Sequence, residues 1–274
     1  MPELPEVETI RRELKPRIIN KRISGCRVLR REIIAYPGPE EFCKTINNEK
    51  ITDVSRKAKY LFLELGNNKK IVFHLRLSGT ITLRKKNSPP DRFTKVIIDI
   101  QDYRLFFNEP RVLGRIYLIT NNKKLTILKG LYNLGIEPID DDFNIDYLHA
   151  KLKGRKARIK SLLLDQSICA GVGNIYSDEA LFRAGIRPLR RAYRITIKET
   201  AKLVQALKQV IKKGIENYGT SVADYYRTNG KNGRFQNYLY VYGKENEPCK
   251  KCGTMIVLKK IGNRSTRFCP QCQK

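Results

Sequence analysis

The sequence predicts an α+β multidomain fold: an N-terminal β-sandwich with flanking helices, a helical middle, and a C-terminal zinc-ribbon β-hairpin. Three observations point there. From about residue 21 to 120, short apolar runs alternate with turn signals, the mark of a β-sandwich. After about 132 the apolar residues recur at helical spacing. The C-terminal part holds Cys249-Lys250-Lys251-Cys252 and Cys269-Pro270-Gln271-Cys272, a C-x2-C-x16-C-x2-C pattern within the range of zinc ribbons. These changes of texture set domains at 1–131, 132–237 and 238–274.

Pro5-Glu6-Val7-Glu8-Thr9-Ile10 opens a helix, because proline suits the first helical turn and acids there complement the helix dipole. Val7, Ile10 and Leu14 give it an apolar face, and Pro16 is expected to end it. Strand patterns follow at 60–65, 70–75, 96–100 and 115–119. Breaks such as Gly66-Asn67-Asn68 and Asn87-Ser88-Pro89-Pro90 separate them. Asp140-Asp141-Asp142-Phe143 reads as the cap of a helix running to about Leu152. Residues 157–164 and 175–184 read as short helices forming a tight hairpin around Gly171-Val172-Gly173-Asn174. Residues 198–217 form a long helix with Leu203, Val204, Leu207, Val210 and Ile211 on one face. A loop rich in Gly and Asn, about 219–237, leads to the ribbon.

Composition narrows the function. The chain has 274 residues, and 55 Lys and Arg against 27 Asp and Glu give a net charge of +28. Residues 1–131 and 132–274 carry +14 each, so the folded body is basic and no detachable tail explains the excess. The expected partner is a polyanion, nucleic acid above all. No apolar run approaches the roughly 20 residues of a membrane-spanning helix. The acidic, proline-punctuated start lacks the basic and apolar regions of a secretory signal. A soluble, cytoplasmic chain without a membrane partner is expected. With only His74 and His149, a Ser-His-Asp triad or a histidine-rich metal site is poorly supported.

Cys26, Cys43 and Cys169 are scattered and read as small core residues. Cys249, Cys252, Cys269 and Cys272 read as ligands of one structural Zn²⁺. Each C-x-x-C knuckle offers two thiolates, and four sulfurs leave no open position for catalysis. From 249 to 274 there are seven Lys/Arg and no Asp/Glu, which suits a nucleic-acid finger.

Four places could carry chemistry. Removal of Met1, which small second residues favour, would expose Pro2 as a secondary amine. An α-amine titrates near about 7.7–8 and can attack an aldehyde-like carbon to give an iminium ion. Glu3 beside it could move a proton. The plainer reading is that Pro2 leads into the helix. Lys59 stands at the mouth of an otherwise apolar strand, with Leu61 and Leu63 on its own face, and is either aimed into a cleft or solvated. The amides of Gly171-Val172-Gly173 and the Asn174 side chain start a helix and could hold a phosphate, or simply form a turn. Arg264 lies at the tip between the cysteine knuckles, where a finger presents arginine to phosphates, or is a solvated loop residue.

Together, Pro2-Glu3-Leu4-Pro5-Glu6-Val7-Glu8-Thr9, Ala58-Lys59-Tyr60-Leu61, Gly171-Val172-Gly173-Asn174-Ile175-Tyr176 and the four-cysteine ribbon resemble the bacterial formamidopyrimidine-DNA glycosylases. The resemblance runs from residue 2 to the last cysteine. Leu4 and Val7 separate this family from its sibling endonuclease VIII, which carries glycine in place of Leu4. The resemblance implies a helix–two-turn–helix segment and a bifunctional glycosylase/AP lyase. That enzyme excises oxidised purines (8-oxoguanine, formamidopyrimidines) from double-stranded DNA and also acts at abasic sites. Pro2 would attack C1′, Glu3 would assist ring opening and proton transfer, and β,δ-elimination would cut the strand. Lys59 and Arg264 would act near the lesion. Asn174, Tyr242 and Arg264 would contact phosphates. Glu6, Thr220 and Ser221, in the loop running to Tyr238, would read the everted base, which must leave the stack to reach Pro2.

The family fills the vacated space with Met, Arg and Phe; here the matching positions hold Leu77, Arg111 and Leu113. Leu113 gives up aromatic stacking, which implies weaker lesion searching or altered opposite-base preference. Tyr218 stands where the family usually has glycine. The resemblance also implies a monomer associated with the bacterial nucleoid. Two alternatives remain at this point: an endonuclease VIII-like enzyme acting on oxidised pyrimidines, and a zinc-ribbon DNA-binding protein without catalysis.

Overall fold

The computed structural model describes residues 2–121, 126–222 and 225–274. The chain divides into two compact units. One comprises residues up to Leu131 together with Asn217–Arg234, and the other comprises Tyr132–Glu216 with Phe235–Lys274. Among the described residues, no helix is long and apolar enough to cross a membrane.

In the first unit, helix α1 (Leu4–Ile18) starts from Glu3 through a reciprocal capping box with Glu6, so each residue satisfies an amide the helix leaves open. Pro16 does not end this helix but lies inside its last turn. The reason is packing: Leu14 and Ile18, four residues apart on one face, are both fully buried, which offsets the hydrogen bond proline removes. Nine strands follow: β1 (Ile23–Val28), β2 (Ile34–Tyr36), β3 (Ile51–Lys57), β4 (Tyr60–Leu65), β5 (Lys69–His74), β6 (Thr80–Lys85), β7 (Thr94–Ile100), β8 (Tyr103–Asn108) and β9 (Arg115–Ile119). They form a four-stranded sheet ordered β1-β7-β8-β6 and a five-stranded sheet ordered β2-β9-β5-β4-β3. One apolar core takes Ile81, Val96, Ile98, Leu105 and Phe107 from the first sheet and Leu61, Leu63, Ile71, Phe73 and Leu118 from the second. The alternating apolar residues of both sheets therefore share an interior, as a sandwich requires.

Cys26 and Cys43 depart from the expectation of isolated core thiols. They form a disulfide between β1 and helix α2 (Pro39–Ile46). Cys169 is free and buried, as expected.

Glu8 is the electrostatic knot of α1. Its carboxylate accepts hydrogen bonds from Arg11 (2.7 and 2.9 Å), Arg12 (2.7 Å) and Arg56 (3.1 Å). Burial pushes its pKa up, but the bonds from Arg11 and Arg12 and the charge of Arg56 outweigh it and hold the pKa at about 2, against an ordinary 4.5. A carboxyl with a depressed folded pKa stabilises the fold when ionised. Its contribution, about 3 kcal/mol at neutral pH, is complete above its ordinary pKa and lost as pH falls toward 2. Denaturant titrations of the parent and Glu8→Gln should therefore differ by about this amount at pH 7 and by about half of it at pH 3. A gap that does not narrow with acid would exclude the ionised carboxylate as its source.

The second unit is helical. Helix α3 (Lys129–Tyr132) ends at its edge, and α4 (Ile145–Leu152), α5 (Ile159–Leu163), α6 (Asn174–Ala184) and α7 (Ile197–Glu216) follow. The cap of α4 is Asn144, whose side chain accepts from the Tyr147 amide at 2.9 Å, not the Asp140–Asp142 run. That run makes the preceding turn while Phe143 is buried. In α7, Leu203, Val204, Leu207, Val210 and Ile211 are all buried, as their spacing requires. The ribbon is the hairpin β10 (Val257–Ile261) and β11 (Arg264–Phe268), turning at Gly262-Asn263.

Candidate active site and zinc centre

Pro2 and Glu3 are buried at the head of α1. Glu6, one turn on and also fully buried, joins this end of the helix to a distant segment. One carboxylate oxygen accepts from the Glu3 amide (2.7 Å) and the other from the Thr220 amide (2.7 Å). The turn must come very close to do this. A Cβ on Gly219 would stand 2.8 Å from Glu6 Oε1, and Gly219 has φ +76°, so glycine is required there on both counts. Ser221 braces the same turn, donating to the Tyr225 carbonyl (2.7 Å) and accepting from the Gly233 amide (2.8 Å). Tyr218 also has φ +59°, a conformation glycine adopts more readily, and the Arg227 guanidinium covers its ring at 3.9 Å. Ala223 and Asp224 of the expected lesion-reading loop lie outside the described residues.

Lys59 is not the first residue of a strand. With Ala58 it forms the two-residue turn between β3 and β4, since Lys57 pairs with Tyr60. Ala58 carries φ +51° and is buried. Positive φ in a two-residue hairpin is normal, but alanine is not the residue that usually announces it. Lys59 is half-buried. Next to it, Tyr60 stacks on His74 with ring centroids 4.4 Å apart. Burial, then the charges of Arg76 and Lys59, push the His74 pKa down to about 3, so the imidazole is neutral at physiological pH. His74 belongs to this cationic corner, although its single occurrence in an apolar strand gave no hint of it.

Leu77 lies in the turn between β5 and β6, half-buried. Arg111 and Leu113 lie in the loop between β8 and β9, both exposed. The sequence does not reveal what holds these loops. It is Glu109, fully buried, whose carboxylate accepts from the Ser78 hydroxyl, the Arg111 amide (3.0 Å) and the Gly114 amide (2.8 Å).

In the second unit, Asn174 is the first residue of α6. Its Oδ1 is buried and meets no hydrogen-bond partner among the described residues. Gln166 shapes the preceding turn, accepting from the Gly171 amide (3.0 Å) and donating to the Val172 carbonyl (2.8 Å). Glu179, buried on α6, accepts the amides of Tyr240, Val241 and Tyr242 at 2.9–3.0 Å, which fixes Tyr242. Burial raises the pKa of Glu179 despite those bonds. Arg264 is exposed at the hairpin tip, where its register partner is Ile261. The hairpin is held from behind by Lys160, which is fully buried. Lys160 pairs with Asp178 at 2.7 Å and donates to the Ser265 carbonyl and Thr266 hydroxyl at 3.0 Å each. Asp178 in turn accepts the Arg267 amide at 3.1 Å.

The ligand atoms of Cys249, Cys252, Cys269 and Cys272 all lie within 4.8 Å of one another. Three of the sulfur–sulfur separations are 3.4, 3.5 and 3.9 Å. Sulfurs about 2.3 Å from a shared tetrahedral centre stand about 3.8 Å apart, so the four residues fit one Zn²⁺. Bound there, the metal would be enclosed by sulfur and would hold the knuckles together without taking part in a reaction.

Comparison with known proteins agrees along the whole chain. Residues 1–116 match the formamidopyrimidine-DNA glycosylase N-terminal domain, 134–225 its H2TH domain, and 246–274 the zinc finger found in FPG and IleRS. The formamidopyrimidine-DNA glycosylase of Pelotomaculum thermopropionicum is 44% identical, covering 100% of this chain and 99% of the relative. That of Xanthomonas axonopodis pv. citri is 38% identical, covering 100% of both. Among solved structures, a Lactococcus lactis FPG mutant bound to DNA containing Fapy-dG superposes with a TM-score of 0.92 at 33% identity, covering 100% of both chains. MutM bound to DNA containing carbocyclic 8-oxo-G gives the same values. Domains in the family's order and full-length relatives under one name lead to a single conclusion: the chain belongs to the formamidopyrimidine-DNA glycosylase family, whose function is base-excision repair of oxidised purines.

Proposed function

We propose that this chain excises oxidised purines from duplex DNA and then cuts the strand, with Pro2 as the nucleophile. The carrying observation is the burial of Pro2 and Glu3 together at the head of α1, braced through Glu6 to the turn at Thr220. With Met1 removed, Pro2 presents a secondary amine with a lone pair. The nitrogen lone pair attacks C1′ of the damaged nucleoside, the bond to the base breaks, and the base leaves with a proton. The sugar ring opens as C1′ becomes an iminium carbon, with Glu3 delivering the proton its O4′ needs. The iminium makes the C2′ protons acidic, and loss of one expels the 3′ phosphate; the conjugated iminium that results makes the C4′ proton acidic, and its loss expels the 5′ phosphate. Water returns the free amine.

Lys59 and Arg264 place positive charge beside the phosphates of the lesion, and Asn174 and Tyr242 add hydrogen bonds that position rather than specify. Glu6, Thr220 and Ser221 shape the pocket for the everted base. Leu77, Arg111 and Leu113 take the place that base leaves, with Arg111 facing the orphaned cytosine.

Borohydride reduces an iminium to a stable amine. On an 8-oxoguanine:cytosine duplex it should therefore yield a covalent protein–DNA adduct that peptide mass spectrometry maps to Pro2. An adduct on a lysine would overturn the assignment of the nucleophile, and its absence on this duplex and on abasic DNA would overturn the chemistry.

Leu113 gives a graded prediction. An aromatic wedge gains stacking of roughly 1–3 kcal/mol per base, so Leu113→Phe should raise the excision rate several-fold or sharpen the preference for cytosine opposite the lesion. Equal rates and equal opposite-base preference would show that leucine wedges as well as phenylalanine here.

A further inference from the structure

We infer that Glu109 is a positioning residue that makes the loop carrying Leu77 and the loop carrying Arg111 and Leu113 act as one plug. The inference rests on the reading above, in which these three side chains fill the space left by the everted nucleotide. Three donors from two loops converge on this one buried carboxylate: the Ser78 hydroxyl, next to Leu77, and the amides of Arg111 and Gly114, which bracket Leu113. Each loop also holds a residue in the left-handed region, Arg76 at φ +55° and Val112 at φ +55°. For β-branched valine that conformation is costly, and it persists only where the surroundings enforce it. The carboxylate supplies that enforcement by collecting the amides on both sides of Val112. Arg115 supports the same turn, donating from Nη1 to the carbonyls of Val112 (2.8 Å) and Gly114 (2.7 Å).

Both loops are tightly packed at their glycines. A Cβ on Gly114 would stand 2.9 Å from Glu109 Oε2 and 2.7 Å from the Phe107 ring, and one on Gly79 would stand 2.5 Å from the Leu75 carbonyl oxygen. Neither loop can shift alone without losing bonds to Glu109. Insertion of the apolar plug, the cytosine-facing arginine and the wedge is therefore concerted, and Glu109 touches none of the reacting atoms.

Glu109→Gln tests this. The carboxamide keeps one acceptor oxygen and turns an N–H toward a backbone N–H, so at least one buried amide loses its partner. Excision from an 8-oxoguanine:cytosine duplex should fall about twentyfold or more, and discrimination between cytosine and adenine opposite the lesion should shrink with it. Cleavage of a single-stranded abasic oligonucleotide, which needs Pro2 but no plug, should stay within about twofold of the parent. Glu109→Asp, which keeps both oxygens, should recover most of the duplex activity. A 2-aminopurine placed beside a non-cleavable abasic analogue should report wedge insertion in the parent and lose that signal in Glu109→Gln.

Unchanged duplex excision in Glu109→Gln, or equal losses on duplex and single strand, would overturn the inference. Should Glu109→Gln fail to fold, Ser78→Ala decides. It removes only the bond between the loops and should weaken opposite-base discrimination, and intact discrimination would overturn the coupling. If the parent itself cannot cleave the abasic oligonucleotide, the proline reading fails, while the 2-aminopurine signal, which needs no reaction, still judges Glu109.

Discussion

Blocking the nitrogen of Pro2 is expected to abolish base release and strand cleavage together while leaving DNA affinity intact. An amine carrying an extra peptide bond has no lone pair for C1′, because amide resonance withdraws it. On the proposed mechanism the glycosylase and elimination steps both pass through that covalent intermediate. The loss should exceed about a thousandfold, more than 4 kcal/mol of transition-state stabilisation. The clean comparison is one preparation with an uncleavable N-terminal tag and one in which processing leaves Pro2 first. Nicking of lesion duplex and anisotropy on the same duplex are measured for both. A tagged protein that nicks as well as the untagged one would refute the proline mechanism. Equal binding by the two, with nicking confined to the free amine, separates an enzyme from a zinc-ribbon DNA-binding protein without catalysis.

Much of this was legible in the sequence, and the parts that were not share a cause. The ribbon was legible because C-x2-C-x16-C-x2-C is local chemistry, and the fold brings those four sulfurs within reach of one ion. The sandwich strands and α7 were legible because alternation and helical spacing record burial directly. Lys59 was read at the mouth of its strand, but the turn that holds it was not legible, because Ala58 sits at φ +51° in a two-residue turn that Asn-Gly would have signalled and alanine does not. Pro16 looked like a stop, but Ile18 is fully buried and carries the helix through it. The Cys26–Cys43 bond joins a strand to a helix, so only the fold could pair those thiols. Glu109 and Glu179 were the hardest to see. Each is a buried acid that accepts backbone amides, Glu109 from its own loop and Glu179 from a distant segment, and such amides leave no trace in residue type. The motif Pro2-Glu3-Leu4-Pro5-Glu6 thus pointed to the proposed nucleophile and to Glu6, but not to Glu109 or Glu179.

Removing the zinc should cost DNA affinity without unfolding the first unit. The hairpin β10–β11 has little apolar core of its own. The buried cluster beside it, at the knuckles, is Phe182, Val241, Cys249, Ile256 and Cys269, so two of the five are metal-ligating cysteines. Structural metal binding is therefore largely the folding energy of this module. With the ion gone, the four sulfurs crowded at one point lose their common partner and the tip carrying Arg264 loses its fixed direction. The Lys160–Asp178 pair then turns against the folded module. Its partners on β11, the Ser265 carbonyl, the Thr266 hydroxyl and the Arg267 amide, depart and leave buried charges with fewer hydrogen bonds. Affinity for lesion duplex should drop about tenfold to a hundredfold at physiological salt, and the slope of affinity against salt should flatten as phosphate contacts are lost. Cys252→Ser should reproduce the effect without chelator. The melting transition of the sandwich should stay in place, because its core draws on neither the four zinc-site cysteines nor the hairpin. A chelated, zinc-free protein that binds duplex as tightly and with the same salt slope would remove Arg264 from the DNA contacts and reduce the ribbon to a fold-stabilising appendage.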